Sequence, residues 1–170
     1  IILEEHLKKY FNNDIEYIKQ LFNGYNVNVY ILKRPTTSQS ETVYKLLKDT
    51  QFEFDEIFIK DVDNQFYMDK MPNVNSICCF RALKNDNSKS YITLTNDGYI
   101  DKIEEKNVIS DTFCVSGYFF KYAIFFVSIY EFLELKSNNM EIYISNIIQT
   151  TMTMLKEKFI EGDWFFMSFV

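Results

Sequence analysis

The stretch Phe58-Ile59-Lys60-Asp61-Val62-Asp63-Asn64 decides how this chain is read. Glu56 to Lys60 is mostly apolar, with the aromatic and β-branched residues of a short buried strand. It runs straight into two carboxylates, Asp61 and Asp63. In an open α/β sheet, ligands bind just beyond the carboxyl ends of the strands. Aspartates delivered there suit Mg²⁺, which takes one or two carboxylates and completes its shell with waters and substrate phosphates. The competing reading is a polar turn after a strand, because Asp and Asn tolerate turn geometry.

Outward from this stretch, the chain divides into two halves of different character. Leu3, Leu7 and Tyr10 have helical spacing across Leu3 to Phe11. Asn13 followed by Glu16 marks a second helix start, with Ile15, Ile18, Leu21 and Phe22 on its apolar face and Gly24 as its stop. Val27 to Leu32 reads as a strand ended by Pro35, and Thr36 to Ser40 as a polar loop into a helix bearing Val43, Leu46 and Leu47. Helix, strand, helix, strand predicts parallel strands joined by a crossover helix. The second half predicts a strand over Ser76 to Leu83 and a hairpin, Tyr91 to Thr95 with Tyr99 to Glu104, about Asn96-Asp97-Gly98. Thr112 to Phe120 is a further strand. Helices over Lys121 to Leu135 and Tyr143 to Lys156 follow, with a last strand at Trp164 to Val170.

Composition narrows the function classes. A chain of 170 residues fits one domain with a real core. A net charge of −6, with Arg34 and Arg81 as its two arginines, argues against nucleic acid as a partner, which is gripped by neutralising phosphates. Cys78, Cys79 and Cys114 are odd in number and have no C-x-x-C spacing, which fits inert core thiols in a reduced, cytoplasmic protein. His6 sits among Glu and Lys, a surface position with no nucleophile to serve. Between Lys121 and Glu131 only nine uncharged residues remain, against the roughly 20 of a spanning helix, so this segment predicts a core helix and no membrane partner. The 17 Phe and 12 Tyr would leave exposed aromatics for a homo-oligomer interface.

Five separated segments then add up. They are Thr37-Ser38-Gln39-Ser40-Glu41-Thr42-Val43, Lys60-Asp61-Val62-Asp63-Asn64, Asp97-Gly98-Tyr99-Ile100-Asp101-Lys102-Ile103-Glu104-Glu105-Lys106, Val115-Ser116-Gly117-Tyr118-Phe119-Phe120 and Glu141-Ile142-Tyr143-Ile144-Ser145-Asn146. Their order, over roughly Ile15 to Gln149, resembles the sugar-phosphate nucleotidyltransferases. The resemblance implies an α/β fold with a Rossmann-like mixed central sheet and helices on both faces, as in GT-A nucleotide-diphospho-sugar transferases. It implies base contacts from Thr37, Ser38 and Gln39, and catalytic Mg²⁺ at Asp63, with Asp61 the lesser ligand. Glu105, Lys106, Gly117 and Glu141 would meet the sugar phosphate, Lys106 as a catalytic cation. The implied reaction joins a nucleoside triphosphate to a sugar phosphate or related phosphorylated acceptor and releases pyrophosphate, in activated-sugar or surface (capsular) polysaccharide synthesis. The acceptor phosphate is already ionised, so no general base is required.

Departures from the family pattern shape a further expectation. The family's phosphate-binding glycine loop has no counterpart here, nor does its terminal Gly-Thr segment. Residues 1–170 are therefore expected to be a single nucleotidyltransferase-like domain, incomplete at both ends, poorly soluble or partnered when expressed alone, and inert by itself. Two other readings remain at this point: a non-catalytic nucleotide-sugar-binding or regulatory module of the same fold, and a metal-dependent glycosyltransferase using Asp61-Val62-Asp63 as a D-x-D motif.

Overall fold

The computed structural model describes all residues except Glu53, Asp63, Asp69, 82–85, Asn139, Asp163, Trp164 and Val170, and describes 64–67 and 165–169 by backbone alone. The longest strand organises the rest. This strand, β8, is Thr112–Phe120, and six of its nine residues carry apolar side chains or cysteine, so it is buried along nearly all its length. One edge of β8 pairs antiparallel with β5 (Ser76–Arg81). The other edge is shared end to end by β3 (Ile57–Lys60) and β6 (Ser90–Leu94), both antiparallel. β6 continues into β7 (Ile100–Glu105), and β5 pairs in parallel with the short β9 (Ile160–Glu161), making a mixed sheet.

The hairpin of β6 and β7 turns at Asn96-Asp97-Gly98, as the sequence predicts. Gly98 takes φ +80°, a conformation that costs glycine little, and its N–H donates to Thr95 O at 3.0 Å. β8 itself is irregular. Ile77 faces Tyr118 while Cys79 faces Cys114, so Val115, Ser116 and Gly117 stand against Cys78 alone. Ser116 absorbs the excess in a left-handed conformation (φ +59°), an uncommon one for a residue with a Cβ.

The parallel crossover predicted for the first third does not form. The strand expected over Val27 to Leu32 is reduced to β2 (Ile31–Leu32), which pairs in parallel with β1 (Ile2–Leu3), while β3 joins β8. Alternating elements imply parallel strands only when both enter one sheet, and β2 and β3 do not. α1 (Glu4–Phe11) and α2 (Ile15–Leu21) lie close to prediction, although Asp14 rather than Asn13 caps α2, accepting from Tyr17 N at 2.8 Å. β4 (Asn64–Tyr67), which the sequence did not suggest, pairs antiparallel with β10 (Phe165–Phe169).

Strand alternation sorts the core. Ile77, Cys79, Ile92, Ile103, Cys114 and Phe120 face the cluster beneath α3 (Gln39–Thr50), α4 (Ala123–Lys136) and α5 (Ile144–Thr150). Cys78, Tyr91, Phe113 and Val115 form a smaller cluster on the other face. α4 is the core helix expected from sequence, and its Phe126 is fully buried edge-on against Phe120, with ring centroids 5.3 Å apart. Burial of one such ring is worth about 1.5 to 3 kcal/mol. α5 continues as a wide π-helical turn, Thr151–Leu155, which Lys156 ends at φ +58°. The three cysteines are buried free thiols, and burial pushes the Cys78 thiol far above its ordinary value. No helix among the described residues is long and apolar enough to cross a membrane.

Candidate active site

The sequence candidates gather at two neighbouring places on the sheet. The first is the start of α3. Ser38 is its N-cap, accepting from Glu41 N at 3.1 Å, so the Ser-x-x-Glu pattern acts as a helix start. The Glu41 carboxylate reaches back to Thr37, accepting from its N–H at 2.6 Å and its hydroxyl at 2.7 Å. Burial pushes Glu41 up, but its bonds to Lys45 and Thr37 outweigh this and hold it below the usual carboxylate range. Gln39, exposed in the first turn, donates to Asp61 Oδ1 at the end of β3. That bond joins the predicted base-contacting loop to the predicted metal carboxylate. A cleft of about 500 Å³ opens beside them, lined by Val43, Leu47 and Ile59 as well as by Gln39 and Asp61.

Asp61 is held from the strand side as well. Its N–H donates to Ser116 O at 3.3 Å, at the β8 bulge. Gly117 is buried next to that bulge, opposite Lys60. Asp63 lies outside the described residues. Among the described residues no group of three or more His, Cys, Asp and Glu side chains converges as a metal site.

The second place is the end of β7. Glu105 accepts two hydroxyls at Oε2, from Ser90 of β6 and from Ser145 of α5, the latter at 2.7 Å. Ser90 and Ser145 are buried, so Glu105 satisfies groups that water does not reach. Lys106 follows in a left-handed conformation (φ +55°), with its N–H on Lys89 O at 3.0 Å, and its side chain turns outward. Its Nζ donates to Tyr143 Oη at 2.7 Å and lies 4.5 Å from that ring's centroid. Tyr143 Oη in turn donates to Glu141 at 2.6 Å. The Tyr143 bond, with Glu105 and Glu141 adding to it, holds the Lys106 ammonium above its ordinary lysine value.

The two places are connected. Ser40, fully buried in the first turn of α3, donates to the Ile142 carbonyl, one residue past Glu141. Tyr118 of β8 is buried within electrostatic reach of both Asp61 and Glu105. Burial first, then Cys114, Asp61 and Glu105, raise its phenol well above the ordinary value. Sequence reasoning named Glu105, Lys106 and Glu141, and the structure brings these together. It missed Ser40, Ser90, Tyr143 and Ser145, which do the joining. A small polar residue at a buried periodic position is the one signal that Ser40 and Ser145 carried.

No family model matches this sequence, and no curated protein matches it by sequence. Solved structures do. A nucleoside-diphosphate-sugar pyrophosphorylase from Vibrio cholerae superposes with a TM-score of 0.75 at 17% identity, over 95% of this chain and 70% of its own. The fold is that of the sugar-phosphate nucleotidyltransferases. An inositol-1-phosphate CTP transferase from T. maritima (TM-score 0.60, 12% identity) and a Bacillus anthracis protein assigned as a glucose-1-phosphate thymidylyltransferase (0.66, 16%) share it. They match 98% and 92% of this chain, which spans 68% and 66% of theirs. In this nucleotidyltransferase fold, the central sheet carries Asp61 and Glu105 at the ends of β3 and β7, both beside β8 residue Tyr118.

Proposed function

We propose that this chain forms the substrate-binding body of an enzyme that transfers a nucleotidyl group from a nucleoside triphosphate to a sugar phosphate or related phosphorylated acceptor, releasing pyrophosphate. The observation that carries the reading is the grouping of Glu105, Lys106, Tyr143 and Glu141 beside the α3 start. A cation flanked by hydrogen-bond acceptors is what a phosphorylated polyol requires: the charge meets the phosphate, and the carboxylates take the hydroxyls. Lys106 would neutralise the acceptor phosphate, whose oxygen attacks the α-phosphate. Thr37, Ser38 and Gln39 would meet the base, although the contacts of Ser38 with Glu41 support its capping role equally. Such chemistry asks the protein mainly for positioning and charge neutralisation.

Asp61 fits a magnesium site as a single donor, since it is a half-exposed carboxylate at a strand end and Mg²⁺ needs few protein ligands. Asp61 and Asp63 would hold the ion, which when bound supplies charge neutralisation to the triphosphate. The test is pyrophosphate release by the full-length protein with the four common nucleoside triphosphates and a panel of sugar phosphates. One productive pair is expected, with Asp63→Ala abolishing turnover while the fold persists. Lys106→Ala should lose on the order of a hundredfold in the acceptor's kcat/KM, as when one charge-stabilising donor is removed, and little in triphosphate binding. Triphosphate binding without release from any pair would make this a binding module instead.

A further inference from the structure

A second cleft, of about 480 Å³, lies where β7 begins, away from Glu105 and Lys106. Three lysines of an acidic chain, Lys121, Lys156 and Lys158, line it together with Tyr99 and Tyr122. Their placement is built in by the backbone. Lys121 N donates to Asn75 Oδ1 at 2.8 Å, Ile160 N to Asn75 O at 3.0 Å, and Ile100 N to Phe159 O at 2.8 Å. Phe120 and Phe159, the neighbours of Lys121 and Lys158, are fully buried and meet edge to face with centroids 5.5 Å apart. The cationic segments are thus anchored to the core.

Among the described residues, two carboxylates lie beside these three amines, and both are engaged. Lys121 pairs with Glu56. The lining carboxylate, Glu157, accepts from Asn75 Nδ2 at 3.3 Å, and among the described residues Lys156 and Lys158 have no ion pair. Lys158 Nζ rests 4.1 Å from the centroid of the Tyr99 ring, and Tyr122 is half-exposed. α4, a helix of 14 residues, starts at this cleft with no acidic residue in its first turn and no side-chain cap. Two features favour an anion: three lysines lining one cleft, and the start of a 14-residue helix with no acidic residue in its first turn, whose first N–H donates to Asp55 O. The half-exposed Tyr122 offers apolar surface to a ring.

We propose that this cleft binds a small phosphorylated ligand bearing a ring. The volume falls within the range of small-molecule sites. The site stands apart from the proposed transfer reaction, yet the same two elements reach both places. Along β7, Glu105 bonds Ser145 and Ile103 N donates to Gln149 Oε1 at 3.0 Å, and the helix then runs on to Lys156 at the cleft. Five steps of strand cover about 17 Å, and eleven residues of helix about 16 Å.

The test titrates inorganic pyrophosphate into the full-length protein by calorimetry, without divalent metal. It compares wild type with Lys156→Ala/Lys158→Ala, Lys106→Ala and Lys8→Ala/Lys9→Ala. The altered lysines are exposed, so folding is not at stake. Loss of two charge-assisted contacts should weaken binding about tenfold or more in the Lys156/Lys158 pair alone. Parallel titrations with a nucleoside monophosphate and a hexose phosphate identify the carrier, and tighter binding of either supports the site. Wild-type affinity in the Lys156/Lys158 pair, an equal loss in all three variants, or no binding by wild type overturns it.

Discussion

At the α3 start, Gln39 and Asp61 meet through one exposed side-chain hydrogen bond; apart from Ser40 on the Ile142 carbonyl and Asp61 N–H on Ser116 O, the contacts described there are local to the helix cap. At the β7 end, by contrast, Ser90, Glu105, Lys106, Glu141, Tyr143 and Ser145 form two hydrogen-bonded groups drawn from two strands and a helix start. The first place is held mainly by secondary structure, the second by tertiary contacts. Under the proposed function, this contrast would serve different tasks. A surface that accepts different parts of a large, flexible triphosphate tolerates looseness, whereas a cation aimed at one phosphate must be fixed before the ligand arrives.

The sharpest way to break this contrast is Glu105→Ala. It leaves the hydroxyls of Ser90 and Ser145 buried without their acceptor, at about 1 to 3 kcal/mol for each. Denaturant unfolding should show that loss of stability, and a change below 0.5 kcal/mol would mean that water reaches both hydroxyls. Ser40→Ala comes next, because it removes the bond that ties the two places together and strips the Ile142 carbonyl of its donor. A loss of about 1 to 3 kcal/mol is expected, with faster hydrogen exchange over 140–144. Exchange confined to α3 would show that the two places are independent.

Ser38→Ala should cost less, about 1 kcal/mol, the usual worth of an N-cap, and should leave the Lys106 group untouched. Chemical-shift changes reaching Tyr143 would contradict the locality of the cap. The smallest effect is acid sensitivity. Glu41 has its folded value below the ordinary 4.5, so its contribution is present above that pH and is lost as pH falls through the lowered value. Thermal melts of wild type and Glu41→Gln should therefore converge as pH drops below 4.5. A gap that persists to pH 3 would assign the effect to shape rather than charge.

Much of the frame was legible in the chain. Thr112 to Phe120 is predicted at its observed bounds because a long apolar run bounded by polar residues has few alternatives. The hairpin follows from Asn96-Asp97-Gly98, and α4 from an apolar run too short to span a bilayer. Glu105, Lys106 and Glu141 were singled out by the resemblance of Asp97 to Lys106 and of Glu141 to Asn146 to the family's motifs, not by their pattern alone. Pairing was not legible. Nothing in Val27 to Leu32 says that only two of its residues pair, or that β3 lies antiparallel to β8.

By itself, then, the sequence determined most of the helices and the long strands, which faces are apolar and which ends carry charge. These properties depend on neighbours two to four residues away, where periodicity and turn chemistry act. Only the tertiary structure decided that Ser40 reaches Ile142 across 102 positions and Ser145 reaches Glu105 across 40. It also decided that β8 bulges at Ser116, where Asp61 leaves its strand. A hydroxyl has no preferred partner along the chain. It takes the acceptor that packing of the apolar faces brings within reach, once water has been driven out.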